Sequence, residues 1–238
     1  MPDFYSYSQF TSFEMCRLQY KFAYIDRIQI EVPNEILEKG LIAHEYMHMR
    51  GLKVPHEEVI NRLKTKYKEN FISEVTADLQ DITDDFFKNA INYEMRIDLS
   101  ISNHANNYII VGYIDRLDKI GNEYKIIDYK YGNYEYDDEK FITSFQPQIY
   151  ALAIMRKYNL QYVDFSFYNL KQRTEVNKRF NLETIETNRM LNIIEKIEEA
   201  KRENNFFPVL GKHCQYCKFN SICDFYKIYT IDTKSDTE

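Results

Sequence analysis

Gly112-Tyr-Ile-Asp-Arg-Leu-Asp118, followed after a Gly121-Asn122 turn by Ile126-Ile-Asp-Tyr-Lys130, is the stretch on which the reading of this chain turns. Side chains alternate between the faces of a strand, so Asp128 and Lys130 share a side, while Ile126 and Ile127 root the strand in an apolar layer. Asp115 on the first segment then converges with Asp128 and Lys130 on the second. Two carboxylates so placed suit a hard divalent cation such as Mg²⁺, which takes a couple of carboxylate oxygens and keeps several waters for itself and a phosphate. Such an ion polarises a phosphoryl oxygen and lowers the pKa of an attacking water. Lys130 would orient that water or neutralise developing charge. The plainer account of an isolated D-x-K is a surface hairpin with a weak ion pair, so the flanking segments decide.

Upstream, Lys39-Gly-Leu-Ile-Ala-His44 opens a helix-like stretch with apolar residues at Leu41, Ile42, Tyr46 and Met49 and with His44 free to face a neighbouring site. Downstream, Gln146-Pro-Gln-Ile-Tyr150 opens another helix, Pro147 fitting its first turn. A G-x-x-x-H helix, a G-x-x-D-R-x-D strand, a D-x-K strand and a Q-x-x-x-Y helix thus follow one another between Gly40 and Tyr150. In this ordered set the chain resembles the RecB-like branch of the PD-(D/E)xK nuclease superfamily. The resemblance implies an α/β, restriction-endonuclease-like core with a central mixed β-sheet flanked by helices. It implies that His44, Asp115 and Asp128 contact Mg²⁺ or Mn²⁺, with the backbone carbonyl of Tyr129 as a further ligand. Lys130 becomes the catalytic lysine, and Gln146 and Tyr150, one helical turn apart, the pair that supports the site and touches substrate phosphate. The alternative for that pair is a helix N-terminus with a core tyrosine. Glu94, on the strand-like segment before the hairpin, is a further carboxylate near the site.

The cysteines form a second pattern. Cys214, Cys217 and Cys223 make a C-x2-C-x5-C cluster, and the fourth and last cysteine is Cys16 near the N-terminus. No apolar segment with a cleavage site opens the chain, so a cytoplasmic setting is expected (host cytoplasm for a viral protein), where clustered thiols favour metal over disulfide. Four thiolates suit structural Zn²⁺ or an iron–sulfur cluster, and spacing leaves both open. The resemblance extends to RecB-like nucleases that carry a [4Fe-4S] cluster with one cysteine before the nuclease core and three after it, the CRISPR adaptation nucleases and the AddB helicase-nuclease subunit. It implies such a cluster here, with Zn²⁺ as the alternative. Its role would be structural, closing a long loop between the chain ends.

At 238 residues, 44% hydrophobic and 16% aromatic, the chain is long enough for a sizeable core and reads as one nuclease domain over 1–229: a helical lobe at about 36–92, a core at about 93–205 and a cysteine segment at 206–227 joined by Cys16. A charged fraction of 29% and mean hydropathy of −0.56 exclude a membrane protein. The net charge of −6 disfavours indiscriminate binding to nucleic acid. No glycine loop for phosphates is apparent, so no nucleotide cofactor is expected.

Ser6 and Ser8 can cap an N-terminal helix with Phe10, Phe13, Leu18 and Phe22 on its apolar positions and Cys16 inside it. Helical spacing at Val59, Leu63, Tyr67 and Phe71, then at Leu79, Ile82 and Phe86, predicts two or three helices over the site. Strands are expected near 93–101, at 107–120 (broken or bulged at Gly112) and at 124–129. A helix over 141–158, strands at 162–169 and 174–180 and an amphipathic helix over 182–204 with Ile185, Leu191, Ile194 and Ile197 buried complete the pattern. Residues 230–238 read as a disordered tail.

Tyr129, Tyr131, Tyr134 and Tyr136 follow the catalytic strand and could include platforms that stack on unpaired bases; the alternative is a flexible aromatic loop beside the metal, since tyrosines mostly fill cores. Lys171, Arg173, Lys178 and Arg179 are placed to meet phosphates, although solvated strand faces account for them equally. The resemblance points to a DNA exonuclease acting on single-stranded ends or flaps in CRISPR adaptation, recombination and repair or viral replication, with adaptation or helicase proteins as partners. The alternative is a catalytically weak DNA-binding or scaffold protein with a structural or redox-active cysteine cluster.

Overall fold

The computed structural model describes residues 4–30, 34–103, 105–133 and 138–227. In chain order its elements are β1 (Phe4–Tyr5), α1 (Tyr7–Met15), α2 (Arg17–Tyr20), α3 (Glu35–Gly51), α4 (His56–Leu63), α5 (Glu69–Leu79), β2 (Ala90–Ser102), β3 (Asn107–Ile120), β4 (Glu123–Lys130), α6 (Asp138–Thr143), α7 (Phe145–Tyr158), β5 (Tyr162–Asn169), β6 (Thr174–Asn181) and α8 (Thr187–Glu203). They form two compact units: Asn34–Ser100 with Ile109–Glu186, and Met1–Pro33 with Ile101–Tyr108 and Thr187–Glu238.

The first unit is a mixed sheet flanked by helices, the expected α/β architecture. β3, β4, β5 and β6 are neighbours in that order, and β2 pairs with β3. β2 owes its strand to alternation: Met95, Ile97 and Leu99 are buried while Arg96, Asp98 and Ser100 are exposed. β3 and β4 are antiparallel, with Arg116 opposite Ile127 and Ile120 opposite Glu123. Gly121 supplies the positive φ of 61° at the turn between them. β4 and β5 run parallel, Asp128 beside Phe167 and Lys130 beside Asn169. Such a pair needs a crossover, which α7 provides, and α7 is accordingly buried from Phe145 to Met155.

Over this sheet, α3, α4 and α5 share a core with β4, built from Ile42, Tyr46, Met47, Leu63, Leu79 and Tyr129. The Asn34 side chain accepts the Leu37 N–H at 3.0 Å to start α3, and Glu35 and Glu38 suit its positive end.

In the second unit Ser6 caps α1 as expected, accepting from Gln9 N–H at 3.3 Å. Tyr5 anchors β1, its hydroxyl donating to Glu198 of α8 at 2.6 Å.

Four expectations are corrected. β3 runs unbroken through Gly112; the glycine answers to packing, since a Cβ there would lie 2.6 Å from the Tyr150 ring. Cys16 is not inside a helix but extended (φ −163°, ψ 116°) between α1 and α2. The helix read over 141–158 is two, α6 and α7, separated at Ser144. α8 begins at Thr187 because the Asn181 side chain holds the Glu183 and Thr184 amides in a turn at 3.0 Å each; Ile185 precedes the helix, and Met190 rather than Leu191 joins Ile194 and Ile197 in the core. The tail from Thr230 lies outside the described residues. Among the described residues no helix is long and apolar enough to cross a membrane.

Candidate active site and cysteine cavity

The i, i+2 spacing on β4 does what alternation requires. Asp128 and Lys130 project together, with Lys130 Nζ 2.6 Å from Asp128 Oδ2. Gln146, in the first turn of α7, donates from Nε2 to Asp128 Oδ1 at 2.7 Å and lies 3.4 Å from Lys130 Nζ through Oε1. Asp128 is 3% exposed, and its Oδ2 faces the Lys130 ammonium while its Oδ1 accepts from Gln146. Asp115 comes from the facing strand; its Oδ2 accepts the Tyr129 backbone N–H at 2.7 Å and lies 3.2 Å from His44 Nδ1, delivered by α3.

Burial pushes the Asp128 carboxyl up to about 6, with Lys130 opposing the rise and Asp115 adding to it. For His44 burial favours the neutral ring, but the charges of Asp115 and Asp128 outweigh it and its pKa is raised. Glu94 is half-buried in β2 with a positive φ of 46°, a backbone costly for a residue with a side chain. Its carboxyl is raised by burial and then by the charges of Asp115 and Asp128, so it belongs to the same electrostatic neighbourhood.

Among the described residues no three His, Cys, Asp or Glu side chains form a ready-made cation cage. The donor chemistry nonetheless suits a divalent cation: the carboxylates of Asp115 and Asp128 with the imidazole of His44 beside them. Tyr150 is 2% exposed, its ring against Gly112. Tyr129 and Tyr131 are also core residues; the Tyr131 hydroxyl donates to Asp78 at 2.7 Å. The expected stacking platform is therefore not formed by these two, and Tyr134 and Tyr136 lie outside the described residues. Arg179 is engaged by Asp164 at 2.8 Å, Arg173 pairs with Asp81, and Lys171 is 3.9 Å from Asp78. Sequence reasoning missed the buried pair Arg116–Asp118, joined at 2.6 and 2.5 Å, with Arg116 also donating to the Tyr129 hydroxyl at 3.3 Å. Its signal was present as the i, i+2 Arg and Asp of the β3 motif.

In the second unit Cys16, Cys214, Cys217 and Cys223 line one cavity together with apolar side chains including Phe22 and Phe219. All four are unbridged; Cys16 and Cys214 are buried. Burial raises the Cys217 thiol, the Phe219 backbone opposes this, and the other three cysteines add to the rise. Four thiols on one cavity fit a tetrathiolate group by donor chemistry.

The sequence pattern of the PD-(D/E)XK nuclease superfamily matches residues 5–224. The chain belongs to that superfamily. No curated protein matches it. Among solved structures it is similar to a candidate exonuclease from Eubacterium rectale, with a TM-score of 0.54 at 12% identity over 91% of this chain and 88% of that one. It is also similar to the protein SSO0001, with a TM-score of 0.45 at 11% identity over 95% and 88%. At 12% identity the likeness to the Eubacterium rectale structure speaks to the fold alone.

Proposed function

We propose that this chain is a Mg²⁺- or Mn²⁺-dependent deoxyribonuclease that removes nucleotides from single-stranded DNA ends. The observation that carries the reading is the convergence of the buried Asp128, 2.6 Å from the Lys130 ammonium, with Asp115 and His44, themselves 3.2 Å apart. Asp115, Asp128, His44 and the Tyr129 carbonyl would hold the ion. When bound, it supplies Lewis-acid polarisation of the scissile phosphate. Lys130 offers the donor nearest the reacting phosphate, aligned by Gln146. Tyr129 N–H and His44 fix the Asp115 carboxylate from two directions. Glu94 adds negative charge to this neighbourhood from β2.

The four cysteines, in this reading, hold a [4Fe-4S] cluster, with Zn²⁺ as the alternative, and place the chain with the iron–sulfur nucleases of the CRISPR adaptation and AddB type, acting in the cytoplasm beside adaptation or helicase proteins. The joint cavity of Cys16 with the three distal cysteines supports this.

The test is digestion of DNA labelled at either end with Mg²⁺ or Mn²⁺. Asp115→Ala and Lys130→Ala should each lower the rate by about 100-fold or more while far-ultraviolet circular dichroism still shows the folded protein at the assay temperature. Undiminished cleavage by Lys130→Ala would remove the lysine from its role. Iron, sulfide and zinc analysis of anaerobically purified protein decides the identity of the cysteine-bound group.

A further inference from the structure

The ladder between β3 and β4 runs from Ile120 opposite Glu123 to Arg116 opposite Ile127. Beyond that last pair stand Asp115 and Asp128, and the Tyr129 N–H donates across to Asp115 Oδ2 at 2.7 Å. Tyr129 thus sits where the candidate site opens. Its chain neighbours are Asp128 and Lys130, its amide holds Asp115, and its ring meets the His44 ring edge-on, with centroids 6.3 Å apart and planes at 76°. A displacement of this one residue would disturb Asp115, His44, Asp128 and Lys130 together.

The Tyr129 side chain is itself held. Phe86 packs against its ring at 6.4 Å and 30°, and Arg116 Nη1 donates to its hydroxyl at 3.3 Å. The guanidinium has little freedom, because Nε and Nη2 grip the two Asp118 oxygens at 2.6 and 2.5 Å and the Phe86 ring lies against it. A fork-to-fork pair of this sort fixes direction as well as charge. Both partners are buried, so the guanidinium is not offered to a substrate phosphate. Stability by itself does not account for the pair either, since a buried ion pair is often no better than well-packed apolar side chains of similar volume. What distinguishes it is the third contact, to Tyr129.

We propose that Arg116, clamped by Asp118, is a positioning residue that acts through the Tyr129 hydroxyl on Asp115 and His44. Holding the hydroxyl fixes the amide that donates to the Asp115 carboxylate and the ring against which His44 lies. This rests on the reading of Asp115 and His44 as cation ligands of a nuclease and adds what aligns them. Groups that orient metal ligands in this way contribute about 10–100-fold to metal affinity or activity.

The experiment is calorimetric titration of Mn²⁺ into the full chain without DNA, with digestion of end-labelled single strands run beside it. Tyr129→Phe keeps the ring and removes the hydroxyl. Arg116→Met combined with Asp118→Leu removes both charges, so that neither is left buried alone. Each should weaken Mn²⁺ binding by about tenfold and lower kcat, with KM for DNA unchanged. Val59→Ala, which opens a cavity beside α4, a helix that carries no site residue, should lower stability and leave Mn²⁺ affinity as it is. If wild type binds Mn²⁺ and cleaves while Tyr129→Phe matches its Mn²⁺ affinity, the positioning role is overturned and the nuclease reading stands, whether or not the double variant folds. A rise in KM with Mn²⁺ affinity unchanged would overturn it by placing Arg116 on the DNA. An equal loss of Mn²⁺ affinity in Val59→Ala would overturn it by making the effect a general loosening. If wild type neither binds Mn²⁺ nor cleaves, the two proposals fall together.

Discussion

The β3–β4 hairpin and the cysteine cavity both gather polar side chains from separate parts of the chain, but by different means. At the hairpin the backbone ladder does the gathering: Arg116 opposite Ile127 sets the register that brings Asp115 to the Tyr129 amide, and alternation puts Asp128 and Lys130 together. Each group there is held by another protein group. In the cavity, Cys16 sits on an extended break between two helices, and Cys214 lies in a short 3₁₀ turn, Lys212–Tyr216. The polar contacts of those sulfurs are long, 3.9 Å from Cys214 Sγ to the Val209 carbonyl and 3.7 Å from Cys217 Sγ to Gln19 Oε1. A site on strands is pre-assembled by the fold, whereas one on turns depends more on what its side chains bind.

The largest expected effect breaks this comparison most directly. Cys214→Ser in the purified holoprotein should lower the melting midpoint by roughly 10 °C or more together with the iron or zinc content, because the free energy of binding a structural metal is spent on folding. Asp115→Ala, which frees the Tyr129 N–H, should lower the midpoint by only a few degrees. An unchanged melt for the cysteine variant would mean that the cavity is as self-sufficient as the hairpin.

A smaller effect concerns Asp128. Its folded pKa of about 6 stands above the ordinary 3.8, so the folded chain holds a proton that the unfolded chain has released between those values. Wild-type stability is therefore lost from this group as pH rises from about 4 to about 6, and no further above that. Asp128→Asn lacks the titration. In chelator, its stability relative to wild type should improve by roughly 3 kcal/mol across that window, measured by urea unfolding at each pH. A constant difference between the two proteins would show that the carboxylate is not desolvated as described.

The smallest is Gly112→Ala. A Cβ 2.6 Å from the Tyr150 ring must displace a buried side chain, and crowding of that kind costs roughly 1–3 kcal/mol. Thermal melts should register a fall of a few degrees. Stability equal to wild type would mean that Tyr150 has room to move.

What the sequence made legible follows the same division. The hairpin, the sharing of a face by Asp128 and Lys130, and the approach of Gln146 were readable because strand and helix periods fix direction residue by residue. The break at Cys16 was not, because its cause is the placement of that residue on a cavity formed with residues about 200 positions later. A break at Gly112 does not occur, and the space its glycine leaves is filled by Tyr150, 38 positions away. The burial of Tyr131 against Asp78 of α5 is another long-range contact that no local pattern announces. The late start of α8 was closer to reach, since Asn181 and Thr184 are ordinary turn formers.

The Arg116–Asp118 pair bears on how the catalytic hairpin comes to be correctly paired. Both side chains are enclosed, 4% and 3% exposed, and the guanidinium lies 4.5 Å from the centre of the Phe86 ring. A slip of one residue between β3 and β4 would turn this sealed charge pair toward the opposite layer and leave it without the Tyr129 hydroxyl. A misaligned hairpin would thus carry the cost of a sealed charge pair out of place, and the carboxylates that follow from correct alignment share in that preference without contributing to it.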